Sequence, residues 1–148
     1  MTVMVREMNA ADRGAWGMMR RALWPEETAQ AHGEWIDVIL RSGEAWGFMA
    51  EAGDGAPAGF AEVAIRKYAN GCESMPVPFL EGVWVRSDLR RQGIGRALIE
   101  HVAAFLVARG FRELGSDSQI DNGVAHASHR SWGFSETERI VYFRKSLT

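Results

Sequence analysis

Short apolar stretches bounded by turn residues occur along the whole chain, and this pattern predicts β-strands. The predicted strands cover residues 2–8, 45–52, 58–66, 79–85, 111–117 and 139–147. The second and third of these flank the sequence GDGAP at residues 53–57, so we expect them to form a hairpin.

Other stretches space their hydrophobic residues three and four positions apart, which is typical of helices. Helices are predicted from Asn9 to about Leu23, over 28–41, from the segment at 90–99 to about Arg109, and from Asn122 to Trp132-Gly133. The stripe of the third helix consists of Ile94, Leu98, Val102, Phe105 and Leu106. The order of elements predicts an α/β protein, with a mixed sheet and helices on both faces.

Composition narrows the class of protein. The 148 residues are 47% hydrophobic and 24% charged, as expected for one soluble domain over residues 1–148. A net charge of −2 argues against nucleic-acid binding. We expect no membrane span and no signal peptide, and Cys72 alone cannot form an internal disulfide, which is consistent with a cytoplasmic location.

The sequence RRQGIGRALI at residues 90–99 is the strongest candidate for a binding motif. Glycines allow close approach of a ligand to the backbone, and the free N–H groups of a helix N-terminus attract phosphate. A dinucleotide loop would need a third glycine, where Leu98 stands, although Glu113 lies at a tolerable distance for its acidic residue. A P-loop sequence is absent, and a glycine loop without any ligand remains an alternative.

The strand before this segment and the helix after it complete the pattern R/Q-x-x-G-x-G/A, and here the sequence resembles the GNAT acyl-CoA N-acyltransferase superfamily. The resemblance implies a central mixed, mostly antiparallel sheet flanked by about four helices, and acetyl-CoA as co-substrate. It also implies a set of CoA contacts: Val83, Trp84, Val85, Arg91, Gln92, Gly93, Ile94, Gly95, Arg96 and Asn122.

Further blocks, among them LWPEE, YANGCES, SDSQIDN and GFSETERIVYFRK, resemble the chromosomal type of aminoglycoside 6′-N-acetyltransferase. Members of that family acetylate the 6′-amine of antibiotics such as kanamycin, and many are homodimers. The resemblance implies a homodimer here, and the six tryptophans could cover its interface. It implies the following antibiotic contacts: Trp24, Tyr68, Glu73, Glu81, Asp117 and Glu138.

Acyl transfer requires a neutral amine, and only about one lysine-like amine in 10³ is neutral at pH 7. We expect Asp117 to hold the reactive amine and to act as its base, with Glu81 as the alternative. Glu81 lies within an apolar strand, where an unpaired carboxylate would be costly. A carboxylate beside an ammonium group also raises that group's pKa, so Asp117 could position the amine instead.

The remaining candidate residues carry weaker signals. Tyr142 could protonate the leaving thiolate, and Cys72 has no obvious histidine partner that would make it a nucleophile. We expect no metal site, because His126 and His129 lack a third ligand. His32 could reach the acceptor cleft, but the stronger expectation places it at the surface.

Two rival functions stay open. The protein could be a GNAT enzyme for another amine, such as a polyamine, a peptide N-terminus or a protein lysine. It could also be a non-catalytic module that binds acyl-CoA. Any single acidic candidate could also be an ordinary solvated surface group, although this alternative is weaker for Glu81, which lies within an apolar strand.

Overall fold

Four antiparallel strands form the sheet of the computed structural model, which describes residues 2–148. The strands are β1 (Met4–Glu7), β2 (Ala45–Glu51), β3 (Pro57–Arg66) and β4 (Val77–Val85). They lie across the sheet in chain order, and each pairs with its successor. All three strand pairs are antiparallel, as expected for a mostly antiparallel sheet, and one isolated parallel bridge joins Phe79 to Gly115 outside these pairs.

Four helices accompany the sheet, in agreement with the sequence. They are α1 (Arg13–Leu23), α2 (Ala29–Ser42), α3 (Ile94–Ala108) and α4 (Gly123–Ser131). Asn9 caps the short 3-10 turn Ala10–Asp12 that leads into α1. Gly110 takes the left-handed conformation after α3, as predicted.

Helices cover both faces of the sheet, because neighbouring residues of each strand point to opposite sides. On β3, Phe60 packs with Trp16 of α1 and Ile36 of α2, and all three are fully buried. The next residue, Ala61, packs in a second cluster with Leu98 of α3. The predicted stripe of α3 supplies most of the helical side of that second cluster.

A one-residue bulge interrupts the pairing of β3 with β4. Glu62 pairs with Gly82, whereas Val63 pairs with Leu80, so Glu81 is left over between them. A bulge bends its strand and changes where the extra side chain points. The bulge therefore takes the Glu81 side chain out of the pattern in which neighbouring side chains of β4 point to opposite faces of the sheet.

The strand predicted over residues 111–117 is wrong, because only Gly115 pairs with the sheet. The Leu80 N–H donates to the Gly115 carbonyl at 2.8 Å, and the Gly115 N–H donates to that of Pro78 at 2.9 Å.

The strand predicted over residues 139–147 is also wrong, because this segment pairs with no strand among the described residues 2–148. Its side chains lie in solvent, with Phe143 93% exposed and Leu147 89% exposed. Alternating apolar residues favour an extended chain, but a strand exists only beside a neighbour that accepts its hydrogen bonds.

Gly95 provides a test of the contact between α3 and α4. A Cβ atom at this position would lie 2.7 Å from Trp132 Cζ2. We therefore expect Gly95→Ala to lower the free energy of unfolding by about 1–3 kcal/mol through overpacking. Urea denaturation measures the change.

The matched control is Gly17→Ala within α1, where a Cβ would meet nothing within 4 Å. This change should raise the free energy of unfolding by about 1 kcal/mol, because alanine is the better helix former. Equal effects of both substitutions would contradict the packing argument.

Candidate active site

The Glu81 side chain at the bulge forms a bidentate ion pair with Arg66 at the end of β3. Arg66 Nε donates to Oε2 at 2.9 Å, and a terminal nitrogen donates to Oε1 at 2.8 Å. The guanidinium carbon also lies 3.6 Å from the ring centroid of Phe79. Glu81 is thus a paired carboxylate, and the cost of leaving it unpaired, on which the sequence argument relied, does not arise.

Asp117 and Tyr142 also act on the Arg66 guanidinium group electrostatically. The hydrogen-bonded Glu81 carboxylate raises the pKa of Arg66, burial opposes this effect, and Asp117 and Tyr142 add smaller contributions in the same direction as Glu81. Of the two predicted catalytic carboxylates, Glu81 thus pairs directly with this cation, and Asp117 contributes to its electrostatic surroundings. The sequence reasoning missed Arg66, although a basic residue at the end of a hairpin strand was a visible signal.

Trp24, at the C-cap of α1, lies over the strand beside Glu81. A Cβ on Gly82 would lie 2.5 and 2.6 Å from two indole carbons of Trp24, so only glycine fits beneath the ring. Phe60 meets the indole edge-on, with centroids 6.1 Å apart. Trp24 is half-buried, and it therefore forms a wall next to the bulge.

The other predicted acceptor residues lie on or against the loop between β3 and β4. Tyr68 is 67% exposed. The Glu73 side chain is exposed, and its backbone N–H donates to the Glu113 carboxylate at 3.0 Å. Glu138 is exposed too, and it follows Thr137, whose hydroxyl lies against Gly71. The loop and the segment after α4 thus bring Glu73 and Glu138 to one part of the surface.

Glu113 anchors this loop. It accepts backbone hydrogen bonds from Glu73 and, at 2.8 Å, from Ser74. Hydrogen bonds from Ser74, and to a smaller extent from the Glu73 N–H, lower the pKa of Glu113. Its carboxylate is therefore occupied within the protein, which argues against the ribose contact of the dinucleotide alternative.

The start of α3 has the geometry of an anion site. Arg91 and Gly93 both adopt positive φ, at 63° and 84°, and no side chain among residues 2–148 caps the helix. The N–H groups of the first turn therefore have no helical acceptor, and the helix dipole places positive charge beside them. A Cβ on Gly93 would meet nothing within 4 Å, so the space in front of the loop is open. A phosphate group fits this start.

Three of the predicted CoA contacts already have partners within the protein. Gly95 is buried against Trp132, so its small size serves helix packing as well as any ligand. Arg96 donates to the Ser131 carbonyl at the end of α4. The Asn122 oxygen accepts from Ala125 N–H at 3.1 Å and caps α4, so only its amide N–H groups remain for a ligand.

The remaining predicted contacts flank this helix start. Arg91 and Gln92 are exposed in the loop, and Ile94 is buried in the core. The end of β4, at residues 83–85, is half-buried. Arg90 donates to the Val85 carbonyl at 3.0 Å, which ties the loop to β4. This strand end consists of Val83, Trp84 and Val85.

No group of three potential metal ligands occurs among residues 2–148, and none of their helices has the length and hydropathy needed to cross a bilayer. Burial, and to a smaller extent Glu113, raises the pKa of Cys72, which disfavours its thiolate. His129 donates from Nδ1 to the Ala125 carbonyl and meets the Ser116 hydroxyl with Nε2, both at 2.7 Å.

The surface position expected for His32 is wrong. The ring is only 1% exposed, because it lies between α1 and α2 with both nitrogens hydrogen-bonded. Its partners include Arg20, which pairs with the buried Glu62. Sequence reasoning missed this pair, because the two residues are 42 positions apart and nothing local connects them.

The sheet, the bulged β4 and the uncapped helix start after it are together characteristic of an acetyltransferase, and the acetyltransferase (GNAT) family matches residues 7–134. The aminoglycoside N(6')-acetyltransferase type 1 of Stenotrophomonas maltophilia is 46% identical over 144 residues, which cover 97% of this chain and 93% of the relative. That of Serratia marcescens is 45% identical over 134 residues, covering 90% and 92%. The chain belongs to the GNAT family and, within it, to the aminoglycoside N(6')-acetyltransferases of type 1.

Solved structures agree with this assignment. AAC(6')-Iy in complex with the bisubstrate analog CoA-S-monomethyl-acetylneamine superposes with a TM-score of 0.93 at 37% identity, covering 99% of both chains. AAC(6')-Ih from Acinetobacter baumannii gives a TM-score of 0.91 at 30% identity, covering 99% of this chain and 100% of that one. The predicted family and GNAT fold are confirmed.

The anchoring role of Glu113 can be tested through pH. The pKa of Glu113 in the folded protein is lowered below the usual 4.5, so its hydrogen bonds contribute to stability above that pH. This contribution is lost as the pH falls through the pKa of the folded state. We expect Glu113→Gln to lower Tm at pH 7, and the difference from wild type to shrink below pH 4.5. Thermal unfolding from pH 7 to pH 3 measures this, and a difference independent of pH would contradict the anchor.

Proposed function

We propose that the protein transfers the acetyl group of acetyl-CoA to the 6′-amino group of aminoglycoside antibiotics and thereby confers resistance. The observation that carries the proposal is the 46% identity with a relative of that name over 97% of the chain. The identity spans both the helix start at residue 94 and the acidic groups around Arg66. The reaction is direct, with both substrates bound in one ternary complex.

Acetyl-CoA binds at the start of α3 in this proposal. The backbone N–H groups of residues 91–96 hold its diphosphate, with added attraction from Arg91. The amide N–H groups of Asn122 contact the same substrate. The strand end at residues 83–85 accompanies the pantetheine arm and places the thioester beside Glu81, and a backbone N–H there meets the carbonyl oxygen as negative charge develops on it.

The acceptor is a polycation, and the site offers carboxylates to it. Glu73, Glu81, Asp117 and Glu138 bind its ammonium and hydroxyl groups, while Trp24 and Tyr68 provide flat walls. Both Glu81 oxygens accept from Arg66, whereas the Asp117 side chain is exposed. This difference favours Asp117 over Glu81 as the group that receives a proton.

The step conserves atoms and charge. The neutral 6′-amine attacks the thioester carbonyl carbon, the new C–N bond forms, and the C–S bond to CoA breaks. The amine proton passes to the Asp117 carboxylate, and the CoA sulfur leaves as thiolate or takes a proton from Tyr142. Holding both substrates in one cleft supplies much of the rate enhancement through proximity.

The rival acceptors are tested by assaying CoA release with kanamycin, spermidine and a lysine peptide. We expect turnover with kanamycin, because only a compact polycation can engage several of the carboxylates at once. Turnover confined to spermidine or to the peptide would overturn the antibiotic assignment. Binding of acetyl-CoA without any turnover would favour the non-catalytic module.

The roles of the two carboxylates are tested in the same assay. Asp117→Asn should lower kcat for kanamycin by about 10²-fold or more, as expected when a general base is lost. The KM for acetyl-CoA should not change. Glu100→Gln, an exposed carboxylate on α3, is the matched control and should behave as wild type. A larger loss with Glu81→Gln than with Asp117→Asn would transfer the role of base to Glu81.

We also propose that residues 1–148 act as one domain and that two copies form a homodimer through the segment at 139–147. Val141 and Phe143 are two positions apart in this segment and are 73% and 93% exposed. Since the segment has no strand beside it within residues 2–148, pairing with a second copy would satisfy its backbone and bury these side chains. A cytoplasmic location is proposed as well, where acetyl-CoA and a reduced Cys72 are both maintained.

Sedimentation velocity at micromolar concentration tests the dimer. The wild type should sediment as a dimer, and the combined substitutions Val141→Asp and Phe143→Asp should convert it to monomer, because they bring like charges into an apolar contact. The control is Val107→Asp on α3, which is 68% exposed in the monomer and should leave the dimer intact. A monomeric wild type would contradict the proposed homodimer.

A further inference from the structure

A buried polar cluster lies directly behind Trp24. It consists of Arg20 on α1, His32 on α2 and Glu62 on β3, which are 6%, 1% and 4% exposed. The Arg20 guanidinium is paired with the Glu62 carboxylate, and the Trp16 indole N–H donates to Glu62 at 2.8 Å. Both charges are thus compensated inside the protein.

The hydrogen bonds of His32 fix its chemical form. Arg20 Nε lies 3.2 Å from His32 Nδ1, and an arginine nitrogen can only donate, so Nδ1 is the acceptor. His32 Nε2 lies 3.0 Å from the Trp24 carbonyl oxygen, which can only accept, so Nε2 carries the hydrogen. His32 is therefore held as the neutral Nε2–H tautomer, and it relays a hydrogen bond from Arg20 to the Trp24 backbone.

The cluster holds Trp24 at two points. His32 fixes its carbonyl group, and the Arg20 guanidinium carbon lies 4.6 Å from the centroid of its indole ring, within the range of a cation–π contact. The indole in turn rests on Gly82, next to Glu81. A change at His32 is thereby transmitted, through one residue, to the wall of the acceptor cleft.

Stability alone does not account for this arrangement. A buried ion pair seldom stabilises a fold more than apolar residues of similar volume, because desolvating both charges costs as much as their attraction returns. What apolar residues could not provide is a directed hydrogen bond to Trp24. Within the turn itself the Trp24 carbonyl also accepts from the Glu27 N–H, but at 3.3 Å this contact is longer than the 3.0 Å contact with His32.

We propose that His32, itself held by the Arg20–Glu62 pair, is a positioning residue that sets the Trp24 wall through its hydrogen bond to the Trp24 carbonyl and thereby determines affinity for the acceptor. This inference rests on the proposed function. His32 is buried within the protein and acts only through Trp24. We therefore expect its loss to change the KM for the aminoglycoside and to leave the chemical step and acetyl-CoA binding intact.

A pair of polar substitutions separates the two hydrogen bonds of His32. In His32→Asn the shorter amide can still meet Arg20 but cannot reach the Trp24 carbonyl. In His32→Gln the longer amide places an N–H donor near the original Nε2. We expect His32→Asn to raise the KM for kanamycin about five- to tenfold, the cost of one lost hydrogen bond, and His32→Gln to restore a value near wild type.

Two controls distinguish positioning from loss of stability. Val102→Ala empties part of the core on the opposite face and should lower Tm without changing either KM. By NMR, the nuclear Overhauser contact between the Trp24 indole and the Gly82 α-protons should weaken in His32→Asn and persist in His32→Gln. The ring ¹⁵N shifts of wild-type His32 should report the Nε2–H tautomer.

Equal kanamycin KM values for the Asn and Gln variants would overturn the proposal, as would an unchanged Trp24–Gly82 contact in His32→Asn. If the wild type acetylates no aminoglycoside, the proposed function fails and the positioning role for that acceptor fails with it. In that case the NMR contact still decides separately whether His32 holds Trp24.

Discussion

The pairing of β4 with β3 through a one-residue bulge is the constraint on which the site depends. Before the bulge, β4 follows the register that buries Leu80; after it, Gly82 lies under Trp24 and Val83 packs toward α3. The extra residue, Glu81, is released toward Arg66. The bulge thus brings the acidic group Glu81, the Trp24 wall from α1 and the approach to the α3 helix start together along β4.

The charges around this strand are balanced in two different ways. Glu62 is paired with Arg20 in the interior and also accepts a hydrogen bond from the Trp16 indole, so its buried carboxylate has hydrogen-bond donors. Glu81 is paired with Arg66 near the surface, with Asp117 close by and exposed. The inner pair suits a fixed scaffold, whereas the outer group keeps net negative charge open to a cationic ligand.

In the proposed function, the parts of the site that bind acetyl-CoA and the acceptor rest on different kinds of interaction. The α3 start relies on backbone geometry, namely the left-handed Arg91 and Gly93 that expose a turn of N–H groups. The acceptor half relies on side chains from α1, β3, β4 and the segments around residues 117 and 138. Such a division would let one fold serve different acceptors, because side chains can change while the helix start is kept.

How much could be predicted from sequence differs accordingly. Four helices, the first hairpin and the loop at 90–99 follow from local periodicity and turn residues, and their bounds agree with the structure within a few positions. The segments at 111–117 and 139–147 were misjudged because strand formation depends on a neighbour that the local pattern does not contain. The acidic candidates came from family resemblance, since no spacing along the chain connects residue 81 with residue 117.

The amino-acid sequence by itself determined the family, the four helices, the first hairpin and the glycine turn before α3, since each is encoded in contiguous residues. Only the tertiary structure decided that Arg66 neutralises Glu81, that Gly95 and Gly82 each accommodate an indole ring, and that His32 is buried behind Trp24. The reason is physical. These contacts join residues far apart in the chain, and their energies depend on distances and burial that exist only once the sheet and helices have packed.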